Sequence, residues 1–345
     1  MLKSLIFVFC TAMGIFLTVV QENYKRTLRF SFSAFVFFLV PILCFALSRF
    51  FWADAAGLAD YHNYFDFFNH ADKVIENRFE IMAKVIRFFS PTFFIFLLFY
   101  SLTSITLKVY TIDKISTYPL LSLITYISTS FALHDIVQIR ISCAIAIFLF
   151  SIRFLVERKY FIYILLISIA VCFHKSSAAF FVFLFFRKNS FNPAFWILAL
   201  VVIYFSAFLN INFIKLFLLV LGEDNYYYLS IISDMNQNLD LFNVNQLINI
   251  FIFLLLAFNS RKFMSYKFFP IFMKIFFCSI AVYPLLNSVP IVASRFSEML
   301  RPSIIFLLPL VINIFRQKWV GYIFVICICL MLSFLNNFYY SLVSI

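Results

Sequence analysis

A chain of 345 residues that is 64% apolar and 22% aromatic, with a mean hydropathy of +1.01, carries more apolar surface than a water-soluble fold can hide, since soluble domains are roughly 45–50% apolar. A soluble globular protein is thereby excluded, and an all-α polytopic integral membrane protein is expected, one membrane domain over residues 1–345. The net charge of +12 points to nucleic acid only if the basic residues gather on one surface, and they are instead spread along the chain in a regular rhythm.

Apolar runs mark about twelve transmembrane helices, over residues 3–20, 30–50, 91–108, 117–133, 136–152, 160–173, 175–187, 193–210, 246–260, 267–286, 302–315 and 319–337. Several approach the ~20 residues that cross ~30 Å of hydrocarbon. The first run has a lone Lys3 before it and Val19, Val20 and Gln21 after it, with no small-residue cleavage pattern, so a retained helix is expected. Alternate connections are basic: Lys25, Arg26 and Arg29; Lys108 and Lys114; Arg153, Arg158 and Lys159; Arg187 and Lys188; Arg261, Lys262 and Lys267; Arg316 and Lys318. These hold 15 of the 27 basic residues and three of the 15 acids, an excess equal to the whole net charge. The positive-inside rule makes these connections cytoplasmic and both termini external.

Two external segments are long, residues 53–90 and 211–246. The first carries Asp54, Asp60, Asp66, Asp72, Glu76 and Glu80 and ends in RFEIMAKVIRFF, whose apolar spacing predicts an amphipathic helix lying at the interface. Its Asp60, His62, Asp66 and His70 also raise a metal site, but no compact ligand spacing fixes one, and a solvated acidic loop is the preferred reading. The second contains Tyr226, Tyr227 and Tyr228, read as an interfacial aromatic belt. All seven cysteines fall in apolar stretches without CxxC or Cys/His spacing, and buried thiols are expected. Lys215 and Lys274 lie in or beside apolar runs with no evident partner.

The stretch FALHDIVQIR, 131–140, is read as the external turn between the fourth and fifth spans, so that His134, Asp135, Gln138 and Arg140 sit at the membrane's outer edge. His134 and Gln138, four apart, would share a helical face if the fifth helix starts early. The sixth span runs outward to His174, level with Arg140. Arg295 and Arg301 of SRFSEMLRP fall in the external connection before the eleventh span, and Asp60 and Glu80 in the first long segment. Each alone has an ordinary explanation, a snorkelling anchor for an arginine or an interfacial hydrogen bond for His174. Six ionisable residues from four segments on one face point instead to anion recognition, because guanidinium forks match phosphate oxygens and stay charged.

Four blocks resemble the EpsG family of bacterial exopolysaccharide proteins, akin to Wzy-type O-antigen polymerases. They are DYHNYFDFF with RFE downstream (60–80), QIRISCAIAIFLFS (138–151), IAVCFHKSSA (169–178) and SRFSEMLRP (294–302), in an order and spacing that span about residues 55–310. Many members have Gln after the Arg where this chain has Ile141, and Pro or Gly soon after the Glu where it has Ile81 and Met82. The resemblance implies a GT-C-like helical architecture with two long periplasmic loops. It implies a glycosyltransferase of the bacterial inner membrane that polymerises undecaprenyl-diphosphate-linked oligosaccharides, with the bilayer and a chain-length regulator as partners; from charge and ligand spacing, no nucleic acid, cofactor or metal is expected. Arg140, Arg295 and Arg301 would then bind the lipid diphosphate, His174 would be the base, Asp60 its rival, and Glu80 would hold sugar hydroxyls. Two other classes stay open: a lipid-linked oligosaccharide flippase, and a membrane O-acyltransferase using His174. The flippase should line a midplane cavity with charge.

Overall fold

The structure, a computed structural model, describes residues 32–52, 59–69, 77–186, 190–209, 211, 240–287 and 289–336. The first expected span, the connection with Lys25, Arg26 and Arg29, Lys215, and the Tyr226–Tyr228 triplet lie outside the described residues. The described residues form helices and their connections, with no strand among them.

Among the described residues four helices are long and apolar enough to cross a membrane, Phe93–Ile115, Pro119–Val137, Ile139–Val156 and Pro290–Ile314, and seven shorter apolar helices accompany them. The chain forms two compact units, Met1–Arg187 with Leu308–Ile345, and Lys188–Leu307.

In the first unit, α1 is Phe32–Trp52, α2 is Ala59–Asn69, α3 is Asn77–Phe89 and α4 is Phe93–Ile115. Next come α5 (Pro119–Val137), α6 (Ile139–Val156) and α7 (Tyr160–Phe173). α4 and α6 run parallel. Cys143 Sγ donates to the Tyr100 carbonyl at 3.3 Å, the Ser104 and Ser142 hydroxyl oxygens lie 2.7 Å apart, and the Tyr110 and Phe150 rings lie 6.0 Å apart further along both helices. α5 is the return stroke that makes this possible. Its first turns, to Tyr126, are α-helical, and Ile127–Val137 is wound as a wider π-helix. Ala144 and Ala170, small and fully buried, bring α6 and α7 together.

After α7 the chain continues as a 3-10 helix over Lys175–Leu184. A 3-10 helix rises about 2.0 Å per residue and stacks side chains every third position. Its buried residues are Ser177, Phe180 and Phe183, a spacing of three. Phe180 stacks on Phe148 of α6 at 3.9 Å, and its carbonyl accepts from Tyr163 Oη at 2.6 Å. The tighter winding stretches a short apolar run to about 20 Å.

The segment Leu308–Ile314 packs against α12, Lys318–Phe334. A Cβ on Gly321 would come 2.7 Å from Ile312 Cα, so only glycine allows that approach.

The second unit contains α8 (Pro193–Phe208), α9 (Val244–Phe258), α10 (Phe269–Leu285) and α11 (Pro290–Leu300). Asn192 and Asn243 cap α8 and α9, accepting from Ala194 N at 3.2 Å and Gln246 N at 3.0 Å. α10 is central, its Phe277 packed on Trp196 of α8 and Phe253 of α9. Gln246 Nε2 donates to Tyr204 Oη and to the Ile280 carbonyl, both at 2.9 Å, tying three helices together. α10 and α11 are stapled by two opposed bonds, Ser279 Oγ to the Ser297 carbonyl at 2.8 Å and Ser297 Oγ to the Ser279 carbonyl at 2.7 Å.

The cysteines divide. Cys143 and Cys329 are buried as expected, whereas Cys44, Cys172 and Cys327 lie on exposed apolar helix faces. An outward face of a membrane helix can carry a thiol because lipid is as apolar as a core.

Candidate functional site

α2 is built on phenylalanine. Phe65 and Phe68 pack on Phe93 at 5.3 and 5.7 Å, and Phe68 on Phe96 at 5.4 Å, anchoring α2 to the start of α4. The amphipathic pattern of RFEIMAKVIRFF does form a helix, α3, with Ala83 and Ile86 buried and Phe88 and Phe89 exposed. Its Arg87 donates to the Asn69 carbonyl at 3.0 Å, closing α3 onto the end of α2.

Asp60 and Tyr64 are one turn apart on α2. The Arg140 guanidinium, in the first turn of α6, lies over the Tyr64 ring with its carbon 5.6 Å from the centroid, and the two side chains are hydrogen-bonded. Burial pushes the Tyr64 phenol up to about 12, with Asp60 adding to the rise and Arg140 opposing it. Tyr64 therefore stays neutral, its Oη accepting from the Arg140 guanidinium.

His174 ends α7 in an extended conformation, φ −151° and ψ 121°. Phe173 before it packs into the cluster of Tyr64, Tyr100, Ile139 and Cys143, with its ring 5.9 Å from Tyr100. Asp60, Arg140 and His174 are thus held around one aromatic cluster, and all three are half-buried. Glu80 is on the first turn of α3, but its side chain lies outside the described residues.

In the second unit, Arg295 is exposed on α11 and Arg301 is half-buried where α11 passes into a 3-10 turn. Glu298 is three residues from each and interacts electrostatically with Arg301 and, less, with Arg295. Among the described residues no three His, Cys, Asp or Glu side chains gather as a metal site, and His70 lies outside them.

The reading of FALHDIVQIR as an external turn is corrected. Residues 127–137 are helical and buried, with His134 and Asp135 each 1% exposed, and the chain breaks only at Gln138, φ −100° and ψ 63°. That break separates His134 from Gln138, so they do not share one helix face. Lys108, read as a loop cation, is inside α4 and also 1% exposed. The physical reason is that these groups satisfy one another. Asp135 Oδ2 accepts from Lys108 Nζ and Tyr126 Oη, each at 2.7 Å, and Oδ1 accepts from Ser104 and Ser142 hydroxyls, each at 2.6 Å. Lys108 Nζ also donates to Ser142 Oγ at 2.6 Å. Arg49, from the last turn of α1, donates to the carbonyls of Asp135 and Ile136 and to Ser101 Oγ. Lys274 is buried in α10 at 4% exposure.

Arg49, Tyr64, Lys108 and Glu298 are the residues that sequence reasoning missed. A signal existed for one of them: Ser101, Ser104, Lys108 and Thr111 recur at helical spacing in an apolar run, and all four are buried.

The model of the EpsG family matches residues 33–344, nearly the whole chain. No curated protein and no solved structure matches it.

Proposed function

The chain belongs to the EpsG family, a Wzy-like polymerase family, and from that premise we propose that it joins undecaprenyl-diphosphate-linked oligosaccharide repeats on the outer face of the bacterial inner membrane. The reading assumes about twelve spans in a GT-C-like arrangement, with the basic connections cytoplasmic. A sugar hydroxyl of the incoming repeat attacks the anomeric carbon of the growing chain. A C–O bond forms with inversion, the bond to the diphosphate breaks, and the lipid diphosphate leaves with the electron pair.

The observation that carries this reading is Arg140. Its guanidinium carbon lies 5.6 Å from the centre of the Tyr64 ring, in a half-buried layer shared with Asp60. The planar guanidinium fork matches the geometry of phosphate oxygens and stays charged. Arg140, Arg295 and Arg301 neutralise the leaving diphosphate, which needs no proton donor because it is a weak base. His174 takes the hydroxyl proton as general base. Asp60 is the rival base and Glu80 a ligand for sugar hydroxyls. A chain-length regulator is the expected protein partner.

The test is the surface glycan of a strain lacking this protein. Loss of a polymerase leaves single-repeat glycan at the surface. Complete absence of glycan would assign a flippase, and long chains lacking acyl groups would assign an acyltransferase.

A further inference from the structure

The cluster around Asp135 takes no part in the chemistry above, yet it joins four helices and contains two buried cations. We propose that Asp135 is a positioning residue for Arg140, acting through Ser142 across the helix break at Gln138. The proposal rests on the role given to Arg140 in the polymerase reading.

The break at Gln138 leaves α5 and α6 joined by one non-helical residue, a joint that could swivel. Asp135 is on one side of that joint and Ser142 on the other, 2.6 Å apart at Oδ1 and Oγ. Lys108 Nζ bonds both, at 2.7 and 2.6 Å, and so closes a triangle from α4. Arg49 fixes the α5 side independently by donating to the Asp135 and Ile136 carbonyls, groups that a helix end leaves without intrahelical partners. With the α5 side held by Arg49 and the α6 side pinned at Ser142, α6 has one rotational setting.

Arg140 and Ser142 are two residues apart in the first turn of α6, so their side chains point about 200° apart around the helix axis. Pinning Ser142 inward directs Arg140 outward, toward Tyr64 on α2. The buried ion pair thereby sets the aim of an arginine it does not touch. Misplacing a reacting group's partner by about 1 Å can cost on the order of 10²-fold in rate.

The test is a cycle of variants in the purified full-length protein in nanodiscs, reading kcat and KM for lipid-linked repeats. Asp135→Asn alone strands the Lys108 charge, so it is paired with Lys108→Met to remove both charges together. Ser142→Ala is the second route, cutting the link while leaving the ion pair intact. The paired variant and Ser142→Ala are each expected to lower kcat by roughly 10-fold or more with KM little changed. Added to Arg140→Ala, neither should lower kcat any further, because a positioning residue has nothing left to position. Losses that multiply with that of Arg140→Ala, or native kcat in both variants, would overturn the proposal and leave the cluster a folding element. Normal polymerisation by Arg140→Ala on its own is a different failure: it removes the diphosphate role of Arg140, and the positioning role with it.

Discussion

α6 presents two polar groups in its first turn, and they live in opposite surroundings. Ser142 is fully buried, in a cluster where the Asp135 carboxylate accepts four hydrogen bonds. Arg140 is half-buried, set against one aromatic ring beneath the short helix α2. The lesson is where this fold keeps its charges. A buried ion pair survives in an apolar setting only when further hydrogen bonds complete it, and the triangle of Lys108, Asp135 and Ser142 meets that condition. Such a cluster is closed to a ligand. The Arg140 layer is covered instead by α2, a helix of 11 residues that is too short to cross a membrane.

That contrast can be broken from either side. The largest effect is expected for His174→Ala, which should cut polymerisation by about 10² to 10⁴-fold while the protein still accumulates, the usual loss for a general base. A ladder of full-length chains from this strain would pass the base to Asp60. Next, Lys108→Met should act on the fold rather than the reaction, costing about 3–5 kcal/mol because it leaves Asp135 as an uncompensated buried charge. Thermal unfolding in detergent measures it, and an unchanged melting temperature would mean that the pair is not closed. Arg140→Lys reverses that pattern: normal abundance, but roughly 10²-fold less polymer, since a point ammonium cannot reproduce a planar fork. Near-normal polymer would reduce Arg140 to an anchor. The smallest change, Tyr64→Phe, keeps the ring under the guanidinium and deletes one hydrogen bond, worth about 1 kcal/mol, or about 5-fold in rate. A loss as large as that of Arg140→Lys would show that the phenol itself meets substrate.

Much of this was legible in the sequence. The alternation of apolar runs with basic connections indicated a helical membrane protein, and RFEIMAKVIRFF gave α3 by its period. Arg140 and His174 lie at the same end of the α6–α7 pair, because the two antiparallel helices join through a tight turn at Arg158 and Phe173 packs with Ile139 and Cys143. What the sequence hid was depth. Lys108 and Asp135 each look like a boundary marker, since a lone charge beside an apolar run is usually a span's end. Their partnership spans 27 residues and two helices, and only the folded chain brings them to 2.7 Å. Tyr64 was hidden differently, as one more aromatic in a chain with 54 phenylalanines and 18 tyrosines.

The paired serines of α10 and α11 have a mechanical consequence. Ser279 and Ser297 each donate to the other's backbone, at 2.8 and 2.7 Å. Sliding either helix along the other, in either direction, stretches both bonds at once, so there is no soft direction for piston motion. Arg295 sits two residues before Ser297 and Arg301 four after it, so α10 and α11 carry that arginine pair as one lever. Any displacement of either arginine's helix therefore carries α10 and α11 together as one body.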